Sequence, residues 1–143
     1  MVLLVIGSLV LLASNVIPGQ LFWFTSLESR GYVKKIDVGV YWDRNCANPV
    51  SYIEWGGIEP GSVKNVSLFI RNEGTIASDL FLRAINWSPS DVSEFMMFSW
   101  DYKGQTLHPL NVVPITLTLQ VLSSVMGIES FSFDIVIGAT AYE

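Results

Sequence analysis

Val113, Ile115, Leu117, Leu119 and Val121 alternate with Pro114, Thr116, Thr118 and Gln120. Side chains on a strand point to opposite faces in turn, so this spacing gathers the aliphatic groups on one side and the polar ones on the other. A helix would scatter the same residues around its circumference, and only a half-buried strand uses such a pattern. Val63–Asn72 repeats it: Val66, Leu68 and Ile70 share one face, while Asn65, Ser67 and Arg71 share the other. That segment stops at Asn72-Glu73-Gly74, residue types that tolerate positive φ at a strand end.

Further segments follow the same rule. Val33–Trp42 sets Ile36, Val38, Val40 and Trp42 on one face; Ser51–Trp55 is shorter; Leu80, Leu82 and Ala84 form an inward row, as do Met96, Phe98 and Trp100, and then Phe131, Phe133, Ile135 and Ile137. Turn chemistry separates them at Pro60-Gly61, Ser88-Pro89-Ser90-Asp91 and Met126-Gly127, with Tyr102-Lys103-Gly104-Gln105 as a hairpin tip. About seven short strands over residues 33–143 predict a mainly β domain, an antiparallel immunoglobulin-like or jelly-roll-like sandwich.

The chain opens differently. Met1–Phe24 holds no charged side chain and closes on Phe22, Trp23 and Phe24. As one hydrophobic helix it would span ~36 Å, enough to cross a bilayer with aromatics at the interface. Three readings fit residues 1–24: an uncleaved membrane anchor, a cleaved signal peptide, or a helix buried between subunits. Length and the aromatic end favour the anchor, whereas Pro18-Gly19 would kink or stop any helix there. Residues 25–32 then act as a linker of at most ~29 Å to the β domain at 33–143.

Charge and cysteine content narrow the function classes. Of 143 residues only 15% are charged, and the net charge of −5 includes no basic run, so nucleic acid is not expected as a partner. Cys46 is the single cysteine and His108 the single histidine. An intramolecular disulfide, a zinc-finger framework and a blue-copper His/His/Cys set are therefore unavailable. The side of the membrane is contested. Arg30, Lys34 and Lys35 follow the apolar run with nothing basic before it, which by the positive-inside rule would keep the domain in the cytoplasm. Two glycosylation sequons, Asn65-Val66-Ser67 and Asn86-Trp87-Ser88, argue for export, and alternation turns Asn65 to solvent. Export, with the β domain at the cell surface and either anchored or secreted, is the expectation.

The run Trp55-Gly-Gly-Ile-Glu-Pro-Gly-Ser-Val-Lys-Asn-Val-Ser-Leu-Phe-Ile-Arg-Asn-Glu-Gly74, leading to Leu80-Phe-Leu and Asn86-Trp-Ser-Pro89, resembles immunoglobulin-like sandwich domains of archaeal and bacterial cell-surface proteins. In these, Pro-Gly opens a strand and Asn-x-Gly closes it. With its hydrophobic leader the layout is similar to the TasA/camelysin group, which includes biofilm-fibre and pilus subunits joined by strand exchange. The resemblance is best over 55–89 and carries no catalytic residue. It implies a non-enzymatic filament or surface-complex subunit whose partners are the membrane, copies of itself and other surface subunits.

Candidate sites have ordinary competitors. Asp43, Asn45 and Glu54 have partial calcium-loop spacing, but Ala47 and Asn48 stand where a ligand and a glycine are needed, and an Asn/Pro-rich turn explains the segment. Glu54, Glu59 and Asp101 are carboxylates with nothing in the sequence to pair them for glycoside chemistry. Cys46 has no base beside it. No catalytic, cofactor or metal residue is therefore assigned. Phe69 and Phe81 fall on outward faces and Trp87 and Tyr102 at turns, which makes them the candidate contact surface, for protein or for glycan. A glycan- or protein-binding module is the alternative to a structural subunit.

Overall fold

The computed structural model describes residues 21–141. The chain divides into two units, Met1–Val33 and Lys34–Glu143. The helix expected over 1–24 lies largely outside the described residues; within them, 21–33 holds no helix or strand, although Phe22 and Phe24 bring their rings to 5.6 Å. No helix among the described residues is long and apolar enough to cross a membrane.

The second unit is mainly β. Its six strands are β1 (Val38–Tyr41), β2 (Val63–Asn72), β3 (Asp79–Ser88), β4 (Met96–Trp100), β5 (Val112–Val121) and β6 (Ser132–Thr140), with a 3-10 turn at Ser90–Phe95. They form two antiparallel sheets, one ordered β1-β2-β5-β4 and one pairing β3 with β6. The period-two rows point between the sheets as their spacing demands. Leu68, Ile70, Ile115, Leu117 and Leu119 are almost wholly buried, and Leu80 of β3 with Ile135 and Ile137 of β6 pack against them from the second sheet. Each such aliphatic contributes about 1.5–3 kcal/mol of burial.

Several expectations are corrected. The first strand is confined to Val38–Tyr41; Trp42, expected inward, is 44% exposed and Ile36 50%. Alternation fails there because the Trp42 N–H donates to Asn48 O, which turns the chain back on itself, and Val50 N then donates to Val40 O. Ser51–Trp55 carries no strand. The β4–β5 connection is longer than a hairpin tip: it runs through Leu107, which bridges to Ser78, although Gly104 does take the positive φ of a turn.

Asn72-Glu73-Gly74 ends β2 for a reason other than positive φ, which neither Asn72 nor Gly74 adopts. Asn72 is fully buried, and its Nδ2 donates to Ile76 O (2.9 Å), Leu107 O (2.7 Å) and Ser78 Oγ (3.3 Å), while its Oδ1 accepts from Gly74 N (2.9 Å). One amide thus ties β2, the β2–β3 turn and the β4–β5 loop together. Gly74 is required by close approach: a Cβ there would stand 2.3 Å from Lys35 O, because residues 35–37 run beside 73–75 through Glu73 N to Asp37 O and Thr75 N to Lys35 O.

Candidate cleft beside the free edge of the small sheet

The two sheets are joined along one side by the 3-10 turn between β3 and β4, whose Val92 is fully buried. On the opposite side β1 and β6 approach each other without pairing. There β1 matches only Phe69–Asn72 of β2, and β6 pairs with β3 alone. A cleft of about 950 Å³ occupies this flank, walled by Leu68, Met96 and Val121 within and by Phe133, Ile135 and Ile137 of β6 along one side. Residues 50–58 and 125–132 also line it. Ile53 and Trp55 turn inward onto the core, whereas Tyr52 and Glu54 face solvent.

An aromatic cluster lies beside the cleft, with Trp55, Phe131 and Phe133 in its lining. Phe133 is the hub: Trp87 stacks on it at 4.2 Å, Phe98 meets it edge-on at 5.1 Å, and Trp55 and Phe131 stack at 6.3 Å each. Rings in these arrangements add about 0.5–1.5 kcal/mol per pair beyond area burial. Alternation places Phe133 and Phe98 here, but Trp87 comes from an irregularity. A bulge between Ile85 and Ser88, with Asn86 at φ 56°, turns the indole inward.

The candidate contact residues are therefore dispersed. Trp87 and Tyr102, expected at exposed turns, are half-buried and packed on the core; the Tyr102 hydroxyl accepts from Leu80 N at 3.1 Å and donates to Gln105 O. Phe69 and Phe81 do face outward, on different sheets, and each ring lies under an arginine: Arg44 at 5.1 Å and Arg83 at 5.4 Å from the centroids. Phe81 lies flat over Gly138, where a Cβ would come within 2.3 Å of its ring.

The polar candidates are engaged with their own chain. Asp43 accepts from Asn48 N (2.8 Å) and Ala47 N (3.1 Å), with Cys46 at φ 57° between them. The Ala47 amide is the main reason its carboxyl is held below the usual range. Glu54 accepts from Gly56 N and the Tyr52 hydroxyl, which lower its pKa in that order. Asp101 accepts from Thr116 N at 2.7 Å. No group of three or more His, Cys, Asp or Glu that would hold a metal ion occurs among the described residues. Asn65 is exposed on the outer face of β2, its Oδ1 accepting from Thr118 Oγ1 at 2.8 Å; Asn86 is exposed at the bulge, its Nδ2 donating to Asp134 Oδ2 at 2.8 Å.

The densest polar cluster is one the sequence does not announce. Tyr41 on β1 donates to Glu73 Oε1, Arg71 Nη2 reaches the same oxygen at 2.9 Å and the Tyr41 hydroxyl at 3.2 Å, and the guanidinium lies 5.1 Å from the Tyr41 ring. The Tyr41 hydrogen bond, then Arg71, holds the Glu73 carboxyl below its ordinary value. The cluster fastens β1 to the end of β2. The sequence signal for it was the antiparallel pairing of a first strand with β2, which becomes visible only once the register is known.

No protein family, curated protein or solved structure matches this chain.

Proposed function

We propose that the chain is a non-enzymatic structural subunit of the cell surface, with an immunoglobulin-like domain that associates with copies of itself while residues 1–24 anchor it to, or direct it across, a membrane. The observation that carries this reading is the cleft beside β6: Phe133, Ile135 and Ile137 line it along a strand whose outer edge is unpaired, and such an edge is a template for a further strand. The occupant of matching chemistry is an extended uncharged segment of a second copy. Met1–Phe24, where it is not held in the membrane, is such a run; the other, Gly104–Ile128, contains β5, which is already paired with β2 and β4 of its own domain. Val33–Trp42, the donor that its place next to the linker suggests, is the poorer candidate, because Val38–Tyr41 is already paired with β2 of its own domain. On this reading the domain is extracytoplasmic and Asn65 and Asn86 are available to glycan.

The test is electron microscopy of the native material together with N-terminal sequencing of the mature chain. Regular filaments or arrays from a chain that keeps its leader are the expected result. Monodisperse monomers, with leader intact and membrane supplied, reject the proposal and leave a glycan- or protein-binding module as the better account.

A further inference from the structure

The segment Ser51–Ile58 has the sequence pattern of a strand but not the bonding of one. Ile53 and Trp55 are half-buried while Ser51, Tyr52 and Glu54 are exposed, an alternation that a paired strand would show. Yet among the described residues no backbone hydrogen bond joins 51–58 to either sheet; the last ladder-like contact is Val50 N to Val40 O. What holds the segment is side-chain packing, chiefly the Trp55 ring stacked 6.3 Å from Phe133 and set edge-on to Phe98 at 6.1 Å. Beyond it Gly56, at φ +69° with open space around it, and Gly57 supply a hinge. An element with few backbone bonds and a glycine pair at its end belongs to the low-stability part of a fold.

We infer that Ser51–Ile58 is a movable strap along the cleft, and that it delays self-association by competing, within its own chain, with a strand of a second copy for the cleft beside the free edge of β6. The inference rests on the assembly proposed above and adds its regulation. Two features favour displacement over simple closure. The strap and β6 both line the cleft, so a strand that enters the cleft to add to β6 meets the strap, whose Trp55 rests on Phe133 of β6. The strap also leaves without breaking a ladder, since it forms none. A segment held by packing alone costs less to move than the paired strands of this wall.

The experiment uses the full chain in detergent, diluted into lipid to start assembly, followed by light scattering and electron microscopy. Trp55→Ala and, separately, Ile53→Ala loosen the strap. Assembly roughly two- to tenfold faster than that of the unsubstituted chain, into particles of the same repeat, is expected, the range that one aromatic pair converts to. An unchanged or slower rate in both variants overturns the strap. A wild-type chain that never assembles sinks the assembly reading and, with it, the competition. Hydrogen exchange on the unsubstituted chain requires no substitution: β6 amides should gain protection on assembly while those of 52–58 stay fast. If 52–58 gains protection together with β6, the segment has become a strand rather than leaving, and the inference fails.

Discussion

Replacing Asn72 with Ala tests a buried side-chain amide that makes four hydrogen bonds. The side chain is fully buried, and its loss removes the contacts to Ile76 O, Leu107 O, Ser78 Oγ and Gly74 N together. These losses are unequal. Leu107 O keeps the Ser78 amide, whereas Ile76 O and the buried Gly74 amide lose the only partner the structure shows for them. Two orphaned backbone groups at about 1–3 kcal/mol each give a loss of about 2–6 kcal/mol, a large part of the stability of a domain this size. Urea unfolding followed by tryptophan fluorescence measures it, with the midpoint falling at constant slope. The Asn72→Asp variant checks the mechanism. It keeps the acceptor for Gly74 N but turns a carboxylate toward two carbonyl oxygens, so burial raises its pKa. A raised folded-state pKa means stability that is present at low pH and lost as pH rises through that value; this variant should therefore be relatively more stable in acid than at neutrality. A loss below about 1 kcal/mol for Asn72→Ala would refute the reasoning, because water would then be reaching groups placed here in a dry interior.

Gly74→Ala should cost about 1–3 kcal/mol by the same denaturation assay, because the added Cβ meets the backbone at Lys35 O rather than a movable side chain. Glu73 is held below the ordinary glutamate value of 4.5, so its contribution is fully present above pH 4.5 and is lost as pH falls through the lower folded-state value. A Glu73→Gln substitution should accordingly flatten the acid limb of a stability-versus-pH curve while leaving Asp37 and Asp43, which are depressed by Lys35 and by the Ala47 amide, to supply what remains. Trp42→Ala should change stability by no more than about 0.5 kcal/mol, as for an exposed site, while Trp100→Ala should cost about 3 kcal/mol, since its ring packs on the core and lies 5.1 Å from that of Tyr102; thermal melts of the two variants separate these outcomes.

The β2 and β5 strands were legible in the sequence down to the side chain, and the reason is local. Period-two alternation in Val63–Asn72 and Val112–Val121 is a one-dimensional pattern, and any sheet that buries one face must honour it. The mainly β class, the inward aliphatic rows and the outward placement of Asn65, Phe69 and Phe81 follow from that rule alone. What tertiary structure decided depends on partners distant in sequence. Trp42 carries the right spacing for the core yet is exposed, because a backbone bond to Asn48 ends the strand one residue earlier. Trp87 sits in a turn by sequence and in the core by virtue of a bulge opposite β6. Ser51–Trp55 alternates like its neighbours, but alternation records only which face is buried and cannot say whether another strand lies alongside to accept its hydrogen bonds. The cleft exists because that partner is missing. Strand order and unpaired edges are properties of the assembled sheets, and they alone set the side on which this domain carries its cleft.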